Sequence, residues 1–223
     1  MTNTSSGNCY ICGKELGKTA MKNHILKSHN DPEGDQRCFL LKIEGVYDRS
    51  YWLFIDVPLD KTLSTVDTFL RDIWLECCGH LSAFRIGRYD EIGKSRKLNT
   101  FSIGDKLLHE YDFGTPTESL ITVVAEVSRK KQRNAVRLLA RNVPPDHRCS
   151  ICGKPADVIC CECMYESDDP FFCEECAEKH EEEHDMMLEV ANSPRMGECG
   201  YGGDLAEYVF DPKKIKVDLG AKK

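Results

Sequence analysis

Residues 38–57 read CFLLKIEGVYDRSYWLFIDV. Two runs of mostly aliphatic and aromatic side chains, 38–44 and 51–57, flank the polar residues 48–50. Apolar runs of this length and composition favour β-strands, and a polar segment between them favours a turn. This stretch therefore predicts two neighbouring strands of a sheet.

The pattern changes after these strands. Apolar side chains recur every three or four residues over 63–77, from Leu63 to Trp74, which predicts one amphipathic helix. Further predicted strands are 81–86, 106–113, and a hairpin of 120–127 and 135–140 around the polar turn 129–134. The predicted fold class is α+β: a mostly antiparallel sheet with one main amphipathic helix, plus two small zinc-binding modules.

Cysteine is the informative component of the composition. The 223 residues carry a net charge of −7 and thirteen cysteines. No stretch reaches the roughly 18 apolar residues that a membrane helix needs, and residues 1–8 lack the apolar core of a secretory signal. We therefore expect a cytoplasmic protein without a membrane span, whose Cys-x-x-Cys pairs near histidines bind metal rather than form disulfides.

The first group of candidate metal ligands lies near the start of the chain, with the spacing Cys9-x2-Cys12-x11-His24-x4-His29. Zinc needs four tetrahedral nitrogen or sulfur ligands, which a turn and one helix face supply at this spacing. Leu16 and Met21 are expected to form its small core. The spacing predicts a Cys-Cys-His-His zinc finger within residues 1–34.

A zinc finger is not by itself a DNA reader. The base-contacting positions of the predicted helix are Gly17, Ala20 and Asn23, of which only Asn23 can make a specific base contact. The finger is nonetheless basic, with four lysines against Glu15. Nucleic-acid binding through this finger and the basic turn 129–134 is therefore an alternative function.

A second group of ligands forms four closely spaced pairs, enough for two zinc ions. These are Cys149, Cys152, Cys160, Cys163, Cys173, Cys176, His180 and His184. The pattern resembles B-box-like modules over 147–185, in which alternate pairs share an ion. That resemblance implies one zinc on Cys149, Cys152, Cys173 and Cys176, and another on Cys160, Cys163, His180 and His184. Cys161 could replace Cys160, and Cys199 or His147 could intrude.

The charge of this segment indicates its partner. Residues 147–185 hold twelve acidic against three basic side chains. Such a surface repels phosphate and favours a protein partner with a basic face. The sequence His180-Glu181-x-x-His184 also matches a metalloprotease helix, with Glu181 as general base, but neighbouring thiolates favour a closed structural site. A metal-dependent hydrolase is thus the less favoured alternative.

Several central motifs suggest a family. They are Tyr51-Trp52-Leu53-Phe54, His80-Leu81-Ser82-Ala83-Phe84-Arg85-Ile86-Gly87, Tyr111-Asp112-Phe113-Gly114, and the closing Gly197-Glu198-Cys199-Gly200-Tyr201. They resemble the plasmid Ri open-reading-frame-three-like family, also labelled transposon-passenger TnpR-like. The resemblance implies an α+β domain over 37–142, with the B-box-like module inserted in it and a closing segment at 186–212. Residues 213–223 are expected to form a basic tail.

The chain departs from this family at polar positions. Ser82 stands where the family has a second histidine, and residues 115–119 lack its Asp, Trp and His. These departures remove the best candidates for chemistry, so we expect no enzymatic activity. His80 and His109 are expected to be strand or turn residues rather than ligands, and Cys77 and Cys78 half-buried thiols.

Together these patterns predict about three structural Zn²⁺ ions. The expected function is that of a non-enzymatic adaptor or regulatory protein that binds another macromolecule, with a protein as its partner. No residue is singled out as catalytic, and no small-molecule substrate is evident.

Overall fold

A computed structural model describes residues 5–87, 90–166, 169–180 and 184–215. Glu181 and residues 216–223 of the predicted basic tail lie outside the described part. The strands are β1 Ser6–Cys9, β2 Glu15–Gly17, β3 Gln36–Gly45, β4 Trp52–Pro58, β5 Ser82–Ile86, β6 Asp90–Ile92, β7 Lys106–Tyr111, β8 Thr117–Arg129, β9 Arg137–Asn142, β10 Val158–Cys160, β11 Phe171–Phe172 and β12 Met187–Glu189. The helices are α1 Lys18–Ser28, α2 Leu63–Leu70, α3 Cys163–Glu166 and α4 Glu174–His180. A π-helical turn, Arg71–Leu75, and two 3₁₀ turns, Leu98–Thr100 and Pro212–Lys214, complete the description.

Nine strands form one antiparallel sheet in the order β2-β1-β9-β4-β3-β8-β7-β5-β6. The predicted pair from residues 38–57 is present as the β3–β4 hairpin, with Cys38 opposite Pro58 and Glu44 opposite Trp52. This hairpin lies in the middle of the sheet. Strand β1, from the predicted finger, pairs with β9, so the finger's own two strands extend the sheet at one edge.

The central strands are buried on both faces, which explains their nearly continuous apolar sequence. Along β3, Leu41 and Ile43 face a core that α2 and the π-helical turn cover with Val66 and Trp74. Leu40 belongs to a second core on the opposite face. That second core is covered by α1, whose buried side chains are Met21 and Ile25.

The prediction of one main amphipathic helix was wrong. The sheet dominates, and the described helices are few and short. The predicted helix 63–77 is an α-helix of 8 residues followed by the π-helical turn, and α1 of the finger, with 11 residues, is longer. Glu76 is extended, and its carboxylate accepts from the Gly79 N–H at 2.6 Å and from Arg71 at 2.7 Å, which turns the chain away.

The predicted hairpin of β8 and β9 was also wrong. Strand β8 pairs with β3 and β7, whereas β9 pairs with β4 and β1. The connection crosses the ends of β3 and β4, where buried Asp56 on β4 forms an ion pair with Arg129 of β8 at 3.0 Å and accepts hydrogen bonds from Arg137 of β9, the shortest at 2.5 Å. One buried carboxylate thus faces an arginine from each of these two strands, an arrangement that is compatible with β8 and β9 lying apart in the sheet.

Strands β10, β11 and β12 form a second sheet in the order β11-β10-β12, with a small core of Cys160, Phe172 and Ala177. The chain then returns to the large sheet. Ser193 Oγ donates to the Trp74 carbonyl at 2.6 Å, and buried Arg195 donates to Asp112 at 2.6 Å. Residues after β12 are therefore anchored on the large sheet near the π-helical turn.

Candidate metal centres

The four predicted finger ligands lie together. Gly13, with φ of +76°, allows the tight turn after β1 that places Cys9 and Cys12 beside the last two turns of α1. Cys9 Sγ lies 3.3 Å from His29 Nε2, and Cys12 Sγ lies 3.1 Å from His24 Nε2. Tetrahedral zinc sets sulfur–nitrogen separations of about 3.5 Å, so the arrangement fits one ion.

This finger is part of the main fold rather than an appendage. The predicted core of Leu16 and Met21 is larger, because Met21 and Ile25 pack with Trp52 and Phe54 of β4. Lys18 of α1 also donates to Glu44 of β3 at 2.7 Å. Metal binding at the finger would therefore also keep helix α1 packed against one face of the sheet.

The second module begins with the same turn. Gly153, with φ of +72°, lets its N–H reach the Cys149 carbonyl at 2.9 Å, as Gly13 does in the finger. The structure brings Cys149, Cys152, Cys173 and Cys176 together, with all sulfurs within 4.8 Å of one another. This is the set that the B-box-like pairing predicts.

The electrostatics of this cluster are compatible with a bound cation. Desolvation opposes ionisation at Cys149, but the backbone N–H groups of Cys173 and Cys152 lower the pKa of the Cys149 thiol to about 6. At Cys176, desolvation and the neighbouring thiols raise the pKa to about 12. Four thiolates can be ionised together at neutral pH only around a positive ion.

The remaining predicted ligands, Cys160, Cys163, His180 and His184, also converge within 4.8 Å. Cys163 Sγ lies 3.3 Å from His180 Nε2 and 3.2 Å from His184 Nδ1. The free Nε2 of His184 faces the Glu162 carboxylate at 3.7 Å, a carboxylate behind a ligand histidine. The His180 ring stacks on Phe172 at 4.2 Å, which fixes its plane.

The alternatives to this set are placed elsewhere. Cys161 is buried outside the cluster, and its N–H donates to the Met186 carbonyl at 2.9 Å. His147 stacks on Phe171 at 4.0 Å instead of entering either cluster. His180 and His184 share their cluster with two thiols, and a zinc ion bound by all four would keep no open position of the kind a hydrolytic zinc has.

A fourth cluster was missed by the sequence reasoning. Cys77, Cys78, His80 and Cys199 lie with their ligand atoms within 4.8 Å of one another. Cys77 is half-buried as expected, whereas Cys78 is exposed. His80, expected to be an ordinary strand or turn residue, faces the sulfurs of Cys78 and Cys199. The sequence Cys77-Cys78-Gly79-His80 could have indicated three of these residues. The fourth, Cys199, lies 119 residues after His80, so local spacing does not reveal it.

All thirteen cysteines lie in the described part of the chain, and all are free thiols. Eleven of them belong to the four clusters, which leaves Cys38 and Cys161 outside. The Cys/His clusters are compatible with metal binding. Among the described residues, none of the helices could span a lipid bilayer.

Comparison with known proteins adds little to this geometry. No family model matches the chain, and no curated protein matches it significantly. Among solved structures, the chain is similar to a crystal structure of a protein of unknown function from Methanosarcina mazei Go1, at 18% identity. The match covers 53% of this chain and 75% of that one with a TM-score of 0.43, a likeness that carries no argument about function.

Proposed function

We propose that this protein is a zinc-stabilised, non-enzymatic binding protein whose partner is a basic segment of another protein. The observation that carries the proposal is the closure of each predicted ligand set. Each contributes four protein ligands to one point, as structural zinc sites do, whereas catalytic zinc keeps a position for water or substrate.

The surface of the second module supports a protein partner. Acidic side chains on and beside its two helices are exposed, among them Glu166, Glu174, Glu178 and Asp185. The module also exposes large apolar side chains: Ile151 at 65%, Tyr165 at 69% and Met186 at 57%. Exposed aromatic and Met side chains among acidic residues suit a basic protein segment with apolar anchors.

The nucleic-acid alternative loses part of its basic surface. Arg129, from the predicted basic turn, is buried against Asp56. Lys18 of the finger is paired with Glu44. The exposed basic residues that remain, Lys14 and Lys27 of the finger and Lys130, Lys131 and Arg133 of the turn, stand against a net charge of −7 for the whole chain.

Binding by the full-length zinc-loaded protein tests the proposal. The probes are a fluorescent Lys/Arg-rich peptide with Leu and Phe anchors and a fluorescent duplex DNA whose charge has the same magnitude and the opposite sign. Binding of each probe is measured by fluorescence anisotropy over a salt series. We expect measurable peptide binding that Glu174→Gln with Glu178→Gln weakens about three- to tenfold, since each exposed charge contributes up to about 1 kcal/mol.

The matched control removes the same charge elsewhere, with Glu33→Gln and Glu91→Gln, both exposed and outside the module. This control should leave peptide affinity unchanged. Tighter binding of DNA with a steep salt dependence, or an equal effect of both variant pairs, would contradict the proposal.

A further inference from the structure

We propose that Cys77, Cys78, His80 and Cys199 form a fourth metal site, a tetrahedral Zn²⁺ site of three thiolates and one imidazole. The site lies on the large sheet's domain, outside the finger and the second module. It does not depend on the proposed binding function.

The distances suit one tetrahedral zinc ion. Zinc at about 2.3 Å from sulfur and about 2.0–2.1 Å from nitrogen sets sulfur–sulfur separations of about 3.8 Å and sulfur–nitrogen separations of about 3.5 Å. The Cys78 sulfur lies 3.9 Å from that of Cys77 and 3.6 Å from that of Cys199. His80 Nε2 lies 3.0 Å from Cys78 Sγ and 3.2 Å from Cys199 Sγ.

A second layer of side chains orients these ligands. His80 Nδ1 faces the Asp112 carboxylate at 3.4 Å, so its Nε2 is presented to the sulfurs. Arg195 donates to the same carboxylate at 2.6 Å and lies 3.7 Å from the Cys77 sulfur. A carboxylate behind the histidine fixes its tautomer and raises its basicity, as at established zinc sites.

The backbone is also held in unusual conformations here. Among the described residues, the non-glycine positions with positive φ are Asp112 at 64° and Cys199 at 48°. Both belong to this site. Such conformations persist where the surroundings impose them, and they cluster at functional sites. Gly197 and Gly200, with φ of 83° and 68°, shape the turn that directs Cys199 toward the other ligands.

The competing chemistry is a disulfide between Cys78 and Cys199. Both thiols are exposed and close enough to form one after a small movement. A disulfide would not use His80, its Asp112 partner or Cys77. The convergence of all four groups therefore favours a metal ion, which would join the end of the π-helical turn to the segment after the second module.

Metal content per chain tests the site directly. The full chain, purified with a reductant and excess zinc and then desalted, should hold about four zinc ions, one for each cluster. Cys78→Ser and Cys199→Ser should each hold about three. The control Cys38→Ala removes a thiol outside every cluster and should retain four.

Cadmium substitution gives a test in the unaltered chain. The donor sets of the other clusters are two sulfurs with two nitrogens, twice, and four sulfurs once. A site of three sulfurs and one nitrogen should therefore give a distinct ¹¹³Cd resonance, which Cys199→Ser removes while the other three remain.

Two results would overturn the proposal. One is a wild-type chain with three metal ions and no cadmium resonance from three sulfurs and one nitrogen. The other is a Cys78–Cys199 disulfide, mapped by peptide mass spectrometry, in chains that keep only the other three metals under reductant. Either result would leave the zinc of the predicted modules, and the proposed partner binding, unaffected.

Discussion

At the residue scale, the buried Asp67–His109 pair shows how polar side chains enter this core. His109 on β7 is fully buried, and its Nε2 lies 2.8 Å from Asp67 Oδ1 on α2. Asp67 also accepts from Ser82 at 2.7 Å and from Lys94 at 2.9 Å. Burial alone would raise the pKa of Asp67, but these hydrogen bonds hold it well below its usual range.

This pair predicts a pH dependence of stability. Burial lowers the pKa of His109, and the nearby positive charges of Lys94 and Arg71 lower it further. The hydrogen bond to Asp67 opposes this shift without reversing it. Below about pH 6.5 the unfolded chain takes up a proton that folded His109 does not, so stability falls as pH decreases, by up to about 1.4 kcal/mol per unit. The low pKa of Asp67 adds a loss only below about pH 4.

Urea unfolding of wild type and His109→Gln between pH 5 and 8 measures this contribution of His109 to the pH dependence of stability. The variant should show a shallower fall below pH 6.5. The difference in unfolding free energy between the two proteins should be constant above pH 7. This range is the internal control, because the zinc ligands titrate equally in both proteins. Parallel curves across the whole range would show that His109 takes up its proton without unfolding.

At the element scale, helix α1 has two tasks. It supplies His24, and its C-cap residue His29, to the finger cluster, and it covers one face of the central strands with Met21 and Ile25. The pairing of β1 with β9 connects the finger to the large sheet. The finger is thus a structural element of the sheet, whatever it contacts outside.

Truncating the packing side of α1 should destabilise the whole sheet. Met21 is fully buried, so Met21→Ala should cost about 2–5 kcal/mol in the free energy of unfolding at saturating zinc. Leu26→Ala on the same helix is the matched control, because Leu26 is only partly buried and should cost clearly less. Urea midpoints of strand amides and of global fluorescence should shift together; a shift confined to the finger would refute this coupling.

At the scale of the whole molecule, the two sheets differ in what holds them. The nine-stranded sheet has large apolar cores on both faces, whereas the second module has a core of three buried residues. A structural zinc ion contributes roughly 10–16 kcal/mol of apparent binding energy at neutral pH. We therefore expect the module to depend on metal far more than the large sheet does.

Chelation should separate these parts. With EDTA and reductant, amides of β10 and β12 should lose hydrogen-exchange protection, while those of β3, β4 and β8 keep most of theirs. The reason is that apolar burial, not metal, stabilises the central strands. Re-addition of zinc should restore protection, and a module that stays protected without metal would contradict this dependence.

The sequence alone determined the parts of this protein whose chemistry is local. The ligands of the finger span only residues 9 to 29, so their spacing on one turn and one helix already brings them to a common point. The β3–β4 hairpin was likewise readable, because two apolar runs flank a short polar turn. The family resemblance and the domain boundaries stay predictions.

Only the tertiary structure decided the order of the strands, the π-helical turn after Leu70 and the fourth cluster. Buried Asp56 faces one arginine from β8 and one from β9, and these arginines lie 73 and 81 positions further along the chain. Cys199 reaches His80 across 119 positions, because Ser193 and Arg195 anchor its segment on the large sheet. Local spacing carries no information about such contacts, since they exist only once the buried polar groups have found their partners.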